Sequence, residues 1–162
     1  MSELFRKDCI FISKQHTVED IFKDVSTKLV EKDLVTSEFL PQVVEREKNY
    51  PTAVDLDILQ KGLPNIAVPH TESAYVKARL VIPVKLERPV LFGNMISPDE
   101  KIKVSWLFMI LNNNPDAQAN VLAAVMDFVT KNDAAELQEF FRSDDTEGIY
   151  TYLNQHFIFD NK

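Results

Sequence analysis

Apolar residues along the chain fall into two rhythms, and each predicts a different kind of element. Between positions 17 and 29 they recur as Val18, Ile21, Phe22, Val25 and Leu29, the spacing of a helix with one buried face. Thr17 stands at the N-cap position of that helix, with Asp20 three residues on. A second helix is predicted from about Thr36. Its stripe of Phe39, Leu40, Val43 and Val44 closes on the charged run Glu45, Arg46, Glu47 and Lys48, and Asn49 and the Tyr50-Pro51 step end it. The helical period returns at Val121, Leu122, Val125, Phe128 and Val129, after the turn-forming segment NNNPD at 112–116. One or two shorter helices follow at Leu137, Phe140 and Phe141 and at Ile149, Tyr152 and Leu153.

The other apolar runs lack that period and read as strands: 8–13 (DCIFIS), 65–68, 80–86 and 102–111. The last, IKVSWLFMIL, is apolar almost throughout. That fits a central strand covered on both faces better than an edge strand, and it requires helices on both sides of the sheet. The expected architecture is therefore α/β, one domain over 1–162. Its core is a mixed, mostly parallel central sheet of about five strands with helices on both faces. No internal repeat, low-complexity segment or linker interrupts it.

Composition narrows the function classes. At 162 residues and 45% hydrophobic content the chain can bury a sizeable core without disulfides or metals. Cys9, the single cysteine, has no partner for a bridge, a zinc site or a redox pair, which fits a cytoplasmic protein. Within an apolar run its thiol acts as a small hydrophobe. The net charge of −7 opposes nucleic-acid binding, and no apolar run approaches the ~20 residues that span a bilayer. Neither nucleic acid nor direct membrane insertion is expected. Gly62, Gly93 and Gly148 are too scattered for a phosphate-cradling loop, and no nucleophile-elbow pattern supports a hydrolase.

Of three histidines, His16 lies at a polar helix entry and His156 near the C-terminal end, where a solvated or capping role suffices. His70 differs. It ends the stretch GLPNIAVPHTE at 62–72, where a hydrophobic run stops at Pro69 and delivers an imidazole into a polar segment. If 66–68 is a parallel strand, His70 stands at its carboxyl end, where ligands bind in open α/β sheets. Location alone leaves this reading level with a histidine that merely caps a strand end.

Arg46-Glu47, Gly62, Ala67, Pro69 and His70, followed by Val90-Leu91-Phe92, the run 104–111 and a Pro115-Asp116 turn opening a helix with Leu122, together resemble the fructose–mannitol family of phosphotransferase system (PTS) enzyme IIA domains. The resemblance covers essentially the whole chain. It implies a phosphoryl carrier that accepts phosphate on His70 from phospho-HPr and passes it to a cysteine of enzyme IIB, with the membrane enzyme IIC served indirectly. Imidazole suits the relay, because its pKa near ~6.5 leaves a neutral nucleophilic nitrogen at cytosolic pH. The transfer needs positioning and countercharge, so no metal, nucleotide or other cofactor is implied.

The resemblance gives the countercharge to Arg46, whose guanidinium fork matches phosphate oxygens. Without it, an arginine between Glu45 and Glu47 at a helix end reads as an ion-pair partner or a dipole complement. Thr71 either donates to the phosphate or turns the chain, and Glu72 either orients the ring or faces solvent. Many mannitol- and fructose-type members resemble one another in carrying a second histidine four residues before the leucine at Leu122. Here Gln118 stands in that place and supplies an amide but no positive charge. That departure, with the free-standing domain, looks more similar to the galactitol-specific branch. Two alternatives share the architecture: a regulatory enzyme IIA of the nitrogen-related type, and a non-catalytic binding module in which His70 is structural. A carrier that docks two proteins in turn needs His70 on a shallow, accessible surface; full burial of the ring would exclude it.

Overall fold

The apolar run at 102–111 becomes a strand buried on both faces, and the rest of the chain is arranged around it. The structure, a computed structural model, describes residues 4–159, leaving aside the side chains of Ala117 and Gln118. Five strands form one sheet: β1 (Phe11–Ser13), β2 (Ala53–Val54), β3 (Ile66–Ala67), β4 (Leu80–Gly93) and β5 (Lys101–Leu111). Their spatial order is β1-β4-β5-β3-β2, with β5 in the middle. Successive side chains of a strand point to opposite faces. Trp106, Phe108 and Ile110 accordingly enter one core, while Leu107, Met109 and Leu111 enter the other.

Helices cover both faces, as the doubly buried strand demands. α1 (Val18–Glu31) and α2 (Phe39–Asn49) pack Ile21, Phe22, Val25, Leu29, Phe39 and Val43 against one side. A four-residue α3 (Leu56–Leu59) follows β2. α4 (Gln118–Lys131), α5 (Ala134–Arg142) and α6 (Thr146–His156) cover the other side through Val121, Val125, Phe128, Leu137, Phe140 and Leu153. α1 begins as its sequence predicts: Thr17 is the N-cap and its hydroxyl accepts from the Asp20 N–H at 3.1 Å. α2 starts three residues later than expected, at Phe39, and holds Pro41 in its first turn, where the missing N–H costs nothing. No described helix is long and apolar enough to cross a membrane.

The expected α/β fold with a five-stranded mixed sheet is the one the chain forms. Within it parallel and antiparallel pairings are balanced. β1 with β4 and β3 with β5 are parallel, whereas β2 with β3 and the longest ladder, β4 with β5, are antiparallel. That ladder arises because 80–86 and 90–92 are one strand. Its register shifts between Lys85 and Val90, across Glu87, Arg88 and Pro89, all exposed, and Pro89 has no N–H to give the ladder. At the N-terminal end β1 is shorter than the apolar run suggests. Cys9 lies just before it, fully buried, its thiol pushed up to about 11 by that burial. β2 and α3 were not predicted, since neither is long enough to show a period.

Candidate functional site

His70 is positioned by the end of β3. Gly62, at φ +91°, turns the chain into that strand with its N–H held by Asp57 Oδ1 at 2.7 Å, a conformation that favours glycine. Ile66 and Ala67 pair in parallel with Trp106 and Leu107 of β5. The pairing reaches past the strand, because Ile110 N–H donates to Pro69 C=O at 2.9 Å and His70 bridges Ile110. His70 thus follows the carboxyl end of a strand parallel to its neighbour, the crevice position expected of it. Its side chain is partly buried, not covered over.

One ring nitrogen is committed. His70 Nδ1 lies 2.8 Å from Val68 C=O. A carbonyl oxygen only accepts, so in this bond Nδ1 carries the hydrogen and Nε2 keeps its lone pair. Burial holds the ring's pKa below the ordinary histidine value; the Val68 bond opposes that, and the nearby Arg46 charge reinforces it. The result is a neutral imidazole with a defined tautomer and one free nucleophilic nitrogen.

Arg46 reaches this region from the last turn of α2. Its guanidinium carbon lies 5.4 Å from the centroid of the Tyr50 ring. Among the described residues, its buried Nε has no hydrogen-bond partner. The two glutamates beside it are occupied elsewhere: Glu45 accepts from Asn49 Nδ2, and Glu47 accepts from Thr52. Arg46 therefore makes no ion pair with either among the described residues, and the simple helix-end pairing does not account for it. It lines a cleft of about 110 Å³ together with Tyr50, Thr71 and Glu72.

Thr71 and Glu72 differ in what they touch. The Thr71 hydroxyl, buried, donates to Glu72 C=O at 2.9 Å and so ties the turn after His70. Glu72 is exposed, and the hydrogen bond that orients the His70 ring comes from Val68. Gln118 is the first residue of α4, which begins beyond the carboxyl end of β5 and hence at the His70 end of the sheet. Its side chain lies outside the described residues. His156 Nδ1 meets Tyr152 C=O at 3.1 Å and its ring stacks on Tyr152 at 4.1 Å, a local arrangement at the end of α6.

Residues 3–156 match the family model described as "Phosphoenolpyruvate-dependent sugar phosphotransferase system, EIIA 2". The chain belongs to this family. As an EIIA 2 protein it is a phosphotransferase component of that system. Its fold is similar to that of IIA mannitol from Escherichia coli, with a TM-score of 0.71 at 19% identity over 92% of this chain and 98% of that one. It is similar also to the Escherichia coli IIA mannitol in complex with phosphorylated enzyme IIB mannitol, with a TM-score of 0.69 at 18% identity over 94% and 98%. The nitrogen regulatory protein IIA-Ntr from Neisseria meningitidis aligns with a TM-score of 0.62 at 19% identity over 93% and 97%. No curated protein sequence matches the chain.

Beside the sequence-predicted residues, this EIIA 2 structure brings in two that sequence reasoning missed. Val68 fixes the histidine through its carbonyl, a backbone role no side-chain pattern reveals. Thr52 links α2 to the residue that follows β3 by accepting from Val68 N–H at 3.2 Å and donating to Glu47 at 2.8 Å. Only the position of Glu47 beside Arg46 in the Arg-Glu pair hinted at it.

Proposed function

We propose that this protein carries a phosphoryl group on His70 Nε2, between phospho-HPr and a cysteine of enzyme IIB, in the cytoplasm and from a single domain over 1–162. The observation that carries the reading is the commitment of Nδ1 to Val68, which leaves Nε2 as the nucleophile on a neutral, partly buried ring. In the first transfer the Nε2 lone pair forms an N–P bond as the N–P bond of the HPr phosphohistidine breaks, its electron pair returning to that imidazole. In the second, the IIB thiolate forms an S–P bond and the electron pair of the His70 N–P bond returns to Nε2. Arg46 supplies the countercharge for the equatorial oxygens, supported by its unpartnered Nε beside the cleft. Thr71 shapes the turn and Glu72 lines the cleft beside it, while Gln118 stands in sequence where the resemblance puts the second histidine of many mannitol- and fructose-type members.

Enzyme IIB as acceptor is supported by the complex of the similarly folded IIA mannitol with phosphorylated IIB. For the sugar, we read galactitol from Gln118 in place of the second histidine. Incubation with phosphoenolpyruvate, enzyme I and HPr is expected to add one acid-labile phosphate by intact mass to wild type and none to His70→Ala. Failure of wild type to gain it from active HPr would leave a binding module. Transfer from the labelled protein to a galactitol IIB, set beside a mannitol IIB, tests the sugar.

A further inference from the structure

Glu47 has no part in the transfer described above, yet it is a buried carboxyl group three bonds of contact away from the reactive ring. Thr52 N–H donates to Glu47 Oε2 at 2.7 Å and the Thr52 hydroxyl donates to Oε1 at 2.8 Å. The same hydroxyl oxygen accepts from Val68 N–H at 3.2 Å, and Thr52 C=O accepts from that N–H at 3.4 Å. Val68 C=O in turn accepts from His70 Nδ1. Glu47 and Thr52 are both buried, at 7% and 4% exposure.

From this geometry we infer that Glu47 is a positioning residue for His70, acting through Thr52 and the Val68 backbone to select the Nδ1–H tautomer that frees Nε2. The inference rests on the carrier reading of His70. The Val68 N–H and C=O belong to two different peptide groups, so the chain of bonds conducts no proton. What it fixes is the orientation of Val68, and with it the place of the one carbonyl that receives Nδ1–H. A carboxylate is suited to this because it only accepts. It forces the Thr52 hydroxyl to donate toward Glu47, which leaves that oxygen's lone pair for Val68 N–H. A neutral amide or acid could donate to Thr52 and reverse the hydroxyl. Burying an ionisable group is unfavourable unless it is hydrogen-bonded, and here one residue occupies both oxygens. Desolvation pushes its pKa up to about 7 against the two Thr52 hydrogen bonds and the charges of Lys101 and Arg46, so the carboxylate that this role needs is the form present above that pH.

Full-length protein labelled with ¹⁵N-histidine, in its Glu47→Gln and Thr52→Val variants, separates positioning from plain structure. In wild type His70 is expected as the Nδ1–H tautomer. In both variants its ring nitrogen shifts move toward the Nε2–H tautomer while His16 and His156 stay unchanged. Phosphoryl uptake from phospho-HPr then falls about 10-fold or more with the site still His70, the scale of a small misplacement of a reacting group. Folded variants with the wild-type tautomer and uptake rate would overturn the inference. Loss of cooperative folding in both would also overturn it, assigning the pair a structural role. A tautomer shift in protein that takes no phosphate even as wild type would sink the carrier reading and leave the positioning intact.

Discussion

The two faces of the sheet are built from different materials. Beneath α4, α5 and α6 the core is aromatic: Phe128 alone meets Phe108, Phe140, Tyr152 and Phe157 at ring-centroid distances between 5.4 and 6.0 Å. Trp106 adds contacts to Phe108, Phe140 and Phe141. Beneath α1 and α2 the core is largely aliphatic, and it contains the buried polar groups Glu47 and Ser26. Protein interiors are close-packed whichever side chains fill them, so the two faces differ in chemistry and not in free space. The difference teaches a division of labour. The aromatic face carries the densest set of ring contacts, and the aliphatic face, through α2, supplies Arg46 to the cleft with Thr71 and Glu72 and Glu47 to Thr52.

If that division is right, the two faces break differently. Phe128→Ala is expected to cost about 4 kcal/mol of unfolding free energy, the usual range for a buried ring truncated to a cavity. The folded fraction should still take phosphate from phospho-HPr at nearly the wild-type rate. Denaturant unfolding beside a phosphoryl-uptake assay checks both halves, and a large loss of uptake at constant folded fraction would erase the contrast. Arg46→Ala should do the reverse. Its Nε has no partner to lose among the described residues, so stability should change by less than about 1 kcal/mol, while uptake falls about 100-fold. Lysine at 46 should restore only part of the rate, since an ammonium lacks the fork.

How much of this the chain reveals beforehand depends on the length and period of each part. β5 and α1 were legible because ten or more residues repeat one pattern, and the doubly buried β5 even announced the helices on both faces. β4 was read only as far as 86, because Pro89 and its charged neighbours mark a break that the ladder in fact spans. β2 is two residues held by partners far away in sequence, Ala67 and Ile66, and leaves no local signal. At the site, His70 stood out by chemistry at a strand end, and Arg46 by resemblance. The Glu47–Thr52–Val68 link was hidden because it runs through backbone groups and depends on β2 and β3 lying side by side.

The finest test of the contrast is the pH dependence of stability, because Glu47 and His70 pull in opposite directions. Glu47 has a folded pKa raised to about 7 from an ordinary carboxyl value, chiefly by burial. The folded state therefore binds the proton more tightly than the unfolded state. Its contribution is full below the unfolded carboxyl pKa and is lost as pH rises through about 7. His70 has a lowered folded pKa, so its contribution is present above the ordinary histidine pKa and is lost as pH falls through the folded value. Measured in a His70→Ala background, where no histidine titrates at the site, the difference in unfolding free energy between the Glu47 and Glu47→Gln proteins isolates the carboxyl. On going from about pH 8 to about pH 5.5, that difference should move by about 2 kcal/mol in favour of the Glu47 protein. A flat difference would mean that Glu47 titrates like an exposed carboxylate, and that the aliphatic face does not seal it from water.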